Sequence, residues 1–369
     1  MSREVSRRFR NIAHICRLTV GLIFIISGFV KVIDPWGTAL KVNEYLTIYG
    51  LEWAMPASMV LSIWICGAEM MMGCMLSFKV RIQLVSIFAL ISTTLFTVMT
   101  LLGATIFHIE DCGCFGEAIQ LTPWQTFFKN LILLPMATIV FLRYKGRGKV
   151  FYFKRSELAT ATSFFFLTMG LGAYCYMYLP LIDFLPYKVG VNLSELIGEA
   201  KNRVASSNIE TILIYRNIES GELQEFKIDD KEWQDSARWE WVESKSTGSD
   251  LGDSALISEF AIYNNKGRDY TTRLLTAKGV QHFLVVANRA ELSDKCLENM
   301  NAFIAQAKKN RESVVCITSD IIERDNSFLG VRCYNLDKVN RKALLRAKSG
   351  VVTLKDGVIV RKSNCRNMM

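Results

Sequence analysis

The chain has 369 residues, more than one ordinary domain needs, with 50% hydrophobic and 21% charged residues, 23 Gly and 6 Pro. That composition excludes a disordered chain, a collagen-like repeat and a small disulfide-packed scaffold. The formal net charge of +9 would suit nucleic acid, but the surplus sits beside apolar segments, which argues against nucleic-acid binding. A mean hydropathy of +0.20 is what two unlike halves would average to.

In chain order, residues 15–33, 57–78, 82–107, 124–142 and 158–179 are each long and apolar enough to cross a bilayer, which takes roughly 20 residues. They predict a multi-pass α-helical membrane bundle: four helices within residues 1–143, then a basic cytoplasmic loop and a fifth transmembrane helix within 144–186. Pro35 closes the first stretch, Pro56 opens the second, and Pro123 starts the fourth. Basic residues precede the first stretch, as in a signal peptide, but no small-residue cleavage site follows it. Arg3, Arg7, Arg8 and Arg10 fall on one side, with Lys79, Arg81 and six more Lys and Arg between 143 and 155. The two loops on the other side, 34–55 and 108–122, hold Lys41 alone. The positive-inside rule then makes the amino terminus cytoplasmic and, after five crossings, the carboxyl-terminal half extracytoplasmic.

From residue 187 charges become frequent and apolar runs shorten. Residues 187–272 read as a linker and β-rich extension. They include a short amphipathic helix within 192–208, strands at 211–215 and 224–228 joined by a turn at Ser220-Gly221, a strand at 239–242, and a loop at 244–253. Residues 273–369 read as an α/β domain. It has a buried strand at 281–287, a helix at 293–308 capped by Ser293, strands at 313–318 and 331–334, a helix at 338–346 and a hairpin over 350–361. This order resembles the thioredoxin fold. Redox-active members of that fold carry Cys-x-x-Cys between the first strand and its helix. Here the stretch reads Asn288-Arg-Ala-Glu-Leu-Ser-Asp-Lys295, Cys296 stands alone on the helix, and Ser349-Gly350 replaces the proline before the penultimate strand. Dithiol exchange needs a second thiol, so this domain is expected to be a redox-silent, thioredoxin-like one.

The most informative short motif is Asp111-Cys112-Gly113-Cys114-Phe115-Gly116, in the outer loop before the fourth crossing. Two thiols one residue apart could close a small, labile disulfide ring, and Gly113 and Gly116 permit the tight backbone. A static turn and a soft-metal site are the alternatives, the latter using His108 with Cys112 and Cys114 to hold copper(I) or zinc. The redox pair leads.

This motif resembles the DoxX-like superfamily and, within it, the methylamine-utilisation MauE branch. So do Ser27-Gly28-Phe29-x-Lys31 near the end of the first helix and Glu69 and Gly73 in the second. With the extra crossing and the exported half, the chain also resembles DoxX-family membrane proteins of Bacteroides-type bacteria. The resemblance implies a four-helix bundle in the bacterial inner (plasma) membrane, associated with redox or disulfide maturation outside the cytoplasm.

Glu69 lies mid-helix, where a carboxylate is expensive and faces a bundle interior. It is either a proton-handling or quinone-facing group, or an anchor paired with Arg17, Lys31 or Lys129. Lys31 and Asp34 could snorkel at the outer boundary. Cys16, Cys66, Cys74 and Cys175 read as small packing residues between helices, and Met70 to Met72 as packing rather than a copper box. The leading function is a membrane thiol–disulfide oxidoreductase using Cys112 and Cys114 with Glu69 in support. The tail would dock an exported client or redox partner, and a quinone or another redox protein would be the electron sink. A non-catalytic scaffold and a metal or small-solute handler remain as alternatives.

Overall fold

Helix α1 (Arg3–Ile33) ends where Pro35 denies it the next backbone donor, and a second helix, α2 (Pro35–Ile48), starts at once. Asp34 is its N-cap: the side chain accepts from Gly37 N at 3.0 Å, and Pro35 occupies the first helical position. A 3-10 turn (Glu52–Ala57) follows, then α3 (Ser58–Ser77), α4 (Ile82–Thr105), α5 (Pro123–Tyr144) and α6 (Arg155–Met177). Thr122 caps α5 through a reciprocal capping box with Gln125, again with proline first in the helix. The stretch 34–55, expected as a loop, is therefore mostly helical. The computed structural model describes residues 3–106, 112–119, 121–146, 155–206, 210–217, 223–227, 239–247, 253–289, 292–319 and 327–368. Among them five segments are long and apolar enough to cross a membrane: Arg7–Ile33, Glu52–Ser77, Ile82–Thr105, Pro123–Tyr144 and Arg155–Met177.

The chain falls into two compact units, Met1–Leu185 and Pro186–Met369. The first is apolar outside and partly polar inside. Ile15, Phe88, Leu95, Ile132 and Phe166 are exposed, whereas Arg17, Lys31, Ser62, Glu69, Thr93 and Asn130 are buried. A water-facing bundle would show the reverse; lipid accepts the apolar surface, and helix partners satisfy the polar groups. Between α1 and α3 the approach is closest at Gly28, where any Cβ would run into the Met70 backbone, and at Gly73, which packs on Ile25. The intramembrane cysteines pack as expected. Cys16 lies buried with Val20, Phe24 and Leu76, and Cys66 with Val32 and Met70.

The second unit opens with α7 (Leu193–Ser206) and a three-stranded antiparallel sheet of β1 (Glu210–Asn217), β2 (Leu223–Lys227) and β3 (Trp239–Thr247), ordered β2-β1-β3. Strand β3 runs on to Thr247, through residues expected as loop; Ser220-Gly221 lies outside the described residues. Next come α8 (Asp253–Ser258), β4 (Ile262–Tyr263), α9 (Thr271–Leu275), β5 (Val280–Val286), α10 (Asp294–Lys309) and β6 (Ser313–Thr318). The unit ends with β7 (Ser327–Phe328), β8 (Val331–Leu336), α11 (Lys338–Leu344), β9 (Ser349–Lys355) and β10 (Val358–Asn364). They build a mixed sheet ordered β10-β9-β5-β6-β8-β4, with β7 on β8. β5 and β6 are parallel, as are β6 and β8, while β9 runs antiparallel to both β5 and β10. Leu284, Val286, Met300, Ile304 and Val351 form the core beneath α10.

Cys296 is not alone. It is disulfide-bonded to Cys365, 69 residues away, with Cα atoms 5.3 Å apart. That separation is ordinary for a disulfide. Sequence spacing hid the partner because it arrives only when the strand after β9 brings the chain back beside α10.

Candidate functional site

The loop from α4 to α5 carries Cys112 and Cys114. Gly113 and Gly116 both take left-handed backbone angles, with φ +66° and +53°. At Gly113 a Cβ would also stand 3.1 Å from the Lys41 Cγ, so a side chain there would crowd Lys41 as well as strain the backbone. The loop closes through Gly116 N donating to Gly113 O at 3.1 Å and Cys112 N to Leu121 O at 3.3 Å.

Three helices hold this turn. From α1, the Ser27 hydroxyl donates to Cys114 O at 2.6 Å. From α2, the Tyr45 hydroxyl lies 3.5 Å from Cys112 O and 3.8 Å from its Sγ. From α5, Lys129 Nζ sits 4.7 Å from the centre of the Phe115 ring, a cation–π contact. The two sulfurs are 3.3 Å apart, one thiol facing the other. Closing that gap to the roughly 2.05 Å of a disulfide requires only a small movement.

Beneath the loop, one turn beyond Ser27 on the same face of α1, Lys31 Nζ meets Glu69 Oε2 at 2.5 Å. Both are buried, and so is Asp34, which spends its carboxylate on the α2 cap. The expectation that Lys31 and Asp34 snorkel is thus corrected, since each finds a partner inside the protein. Arg17 instead donates to Leu76 O and, at 2.6 Å, to Ser77 O, where a cation suits the carboxyl end of α3. Ser27 and Lys31 of the first short motif, Glu69 of the second and the Cys112-Gly-Cys114-Phe-Gly116 turn therefore converge at one end of the bundle, while Gly73 packs further along α1.

Electrostatics make the sulfurs unequal. The hydrogen bond from Cys112, aided by the ammonium groups of Lys129 and Lys31 and opposed by burial, holds the Cys114 thiol down at about 7. The same bond, then burial, pushes Cys112 up. Tyr45 is pushed up by burial and by the nearby Cys112.

Tyr45 and Asn130 were not singled out in the sequence. Asp34-Pro35, a cap followed by a first-turn proline, was the available signal for α2 and so for Tyr45. His108 and Asp111 lie outside the described residues, and among the described ones no group of three His, Cys, Asp or Glu side chains could hold a metal ion.

An apolar exterior, buried polar groups within the bundle and five spanning-length helices define a multi-pass membrane protein. Residues 10–143, roughly a third of the chain, match the family described as Methylamine utilisation protein MauE. No curated protein and no solved structure matches the chain.

Proposed function

We propose that the protein passes electrons between thiols and disulfides on the extracytoplasmic side of the membrane, with Cys112 and Cys114 as the working pair. The observation that carries this reading is the pair itself: two sulfurs 3.3 Å apart on a glycine turn fixed by α1 and α2 beside a buried lysine. The skew of Lys and Arg supports placing that loop outside the cytoplasm. Electron balance is simple. A client dithiol gives two electrons to the Cys112–Cys114 disulfide and leaves oxidised, and a lipid-soluble two-electron acceptor such as a quinone, or another redox protein, would restore the disulfide. The DoxX-like resemblance points the same way. The strand order β10-β9-β5-β6, with β5 parallel to β6 and antiparallel to β9, supports a thioredoxin-like tail that docks a client.

A scaffold reading draws on one observation: Cys296 is bonded to a distant cysteine rather than placed in Cys-x-x-Cys. Replacing Cys112 and Cys114 with Ser and trapping the thiols of all exported proteins separates the two readings. Exported proteins that accumulate in the wrong redox state support exchange; an unchanged set leaves the scaffold.

A further inference from the structure

Beside Cys114 the bundle encloses a small cavity, leaving about 20 Å³ for the centre of a water-sized sphere. Lys31, Glu69, Asn130 and Lys129 line it, and of the two loop cysteines only Cys114 does. Asn130 is buried, and its Nδ2 has no hydrogen-bond partner among the described residues. An unsatisfied buried amide donor in a pocket that is otherwise largely apolar, walled by Ile23, Phe24, Phe96 and Leu133, is costly unless something accepts from it. A site of this size has room for at least one water, which needs roughly 10–15 Å³. The cavity therefore presents an ammonium and an amide donor to one sulfur of the pair, while the other sulfur faces Tyr45.

We propose that the two sulfurs have fixed roles: Cys112 is the one a client attacks, and Cys114 is the leaving thiolate, received across the cavity by Lys31 and Asn130. This rests on the thiol–disulfide reading above. A client thiolate bonds to Cys112 Sγ, the Cys112–Cys114 bond breaks, and its electron pair stays on Cys114 Sγ. The second client thiolate then attacks the client sulfur of the mixed disulfide and expels Cys112 as thiolate. Lys31 is the counter-charge for the first leaving group, by charge-assisted hydrogen bonding directly or through the water. Glu69 is a positioning residue: it holds the ammonium at the cavity and competes with the sulfur for it. The other groups facing Cys114 are Lys129 from α5, Tyr45 from α2 and Cys112 from its own loop, while α4 lines the cavity with Thr93 and Phe96; Cys66 from α3 faces Lys31 instead.

The test reads Cys114 alone. In full-length Cys112→Ser protein in lipid nanodiscs, iodoacetamide labelling of the Cys114 peptide is followed by mass spectrometry across a pH series. Lys31→Met should slow labelling at neutral pH by about tenfold, the one-unit effect of losing a nearby opposite charge. Glu69→Gln should speed it severalfold. A structural role for the ion pair would move both variants the same way, and that result overturns the proposal. Asn130→Leu keeps both charges and fills the cavity. It should slow labelling as well, and an unchanged rate there also overturns the assignment. No client takes part, so these outcomes are independent of whether exported proteins depend on the pair.

Discussion

The Ser27 hydroxyl donates to the Cys114 carbonyl at 2.6 Å, so the first membrane helix holds the turn that carries both sulfurs. Removing the donor leaves a partly buried carbonyl without that bond, a loss of about 1 kcal/mol. Ser27→Ala should therefore leave the bundle folded but loosen the loop. The check is the rate of Cys114 alkylation at neutral pH in reduced protein, expected to rise severalfold with little change in melting temperature. A large drop in melting temperature would mean that Ser27 serves the bundle and not the loop.

At Gly28 a side chain would collide with the backbone of Met70, one residue from Glu69. Gly28→Leu must push α1 off α3 or distort both, an overpacking cost of about 1–3 kcal/mol or more. The same displacement would part Lys31 from Glu69. Thermal melts in detergent should show Gly28→Ala already clearly destabilised, because its Cβ alone meets the Met70 backbone, and Gly28→Leu more so. Equal melts for all three proteins would contradict the close approach.

Which parts of this were legible in sequence follows from the range of the forces involved. The spans were readable because each is a long local run of apolar residues, the strands β5, β6 and β9 because each carries a short apolar run, and β10 because the turn at Lys355-Asp356-Gly357 announces a hairpin. The cysteine pair was legible because Cys112 and Cys114 are two residues apart. Helix α2 was missed because only Asp34 and Pro35 announce it, and its mixed composition reads as loop. The contacts Lys31–Glu69, Ser27–Cys114 and Cys296–Cys365 join residues 38, 87 and 69 positions apart, and nothing local encodes those separations.

Lys31 and Glu69 form a buried ion pair, and breaking such a pair by removing one partner costs about 3–5 kcal/mol, because a charge is left without compensation. Replacing both with apolar residues of similar volume is often neutral. Lys31→Met and Glu69→Leu should each lower the melting temperature, and the double variant should recover most of the loss. Additive losses in the double variant would show that the pair contributes more than mutual neutralisation.

The depressed Cys114 thiol has a direct consequence for pH. A thiol reacts as thiolate, and the thiolate fraction climbs as pH rises through the value at which the group titrates. For Cys114 that value is about 7, against 9.0 for an unperturbed thiol. In reduced protein with both cysteines present, alkylation of Cys114 should rise steeply between mildly acidic and mildly alkaline pH, while Cys112, pushed upward, stays unreactive over the same range. Peptide-resolved mass spectrometry distinguishes the two. Parallel curves for both cysteines, rising only well above pH 8, would remove the asymmetry.

The Cys296–Cys365 bond ties the start of α10 to the segment after β10, closing a loop with a sequence separation of 69. Cys296 is the third residue of a helix capped by Ser293, and Cys365 N donates to Ser349 O at 3.1 Å, so the cross-link joins segments already held by hydrogen bonds. Both sulfurs are buried in the core beneath the sheet with Met300 and Met368. On the chain-entropy account, a cross-link over that separation restricts the unfolded chain by roughly 4 kcal/mol. Reductant should therefore increase hydrogen exchange in β9, β10 and α10, and Cys365→Ser should reproduce that increase without responding further to reductant. The membrane helices serve as an internal control, because their exchange should not change. If reductant left β9, β10 and α10 as protected as before, the bond would contribute nothing to holding this domain together.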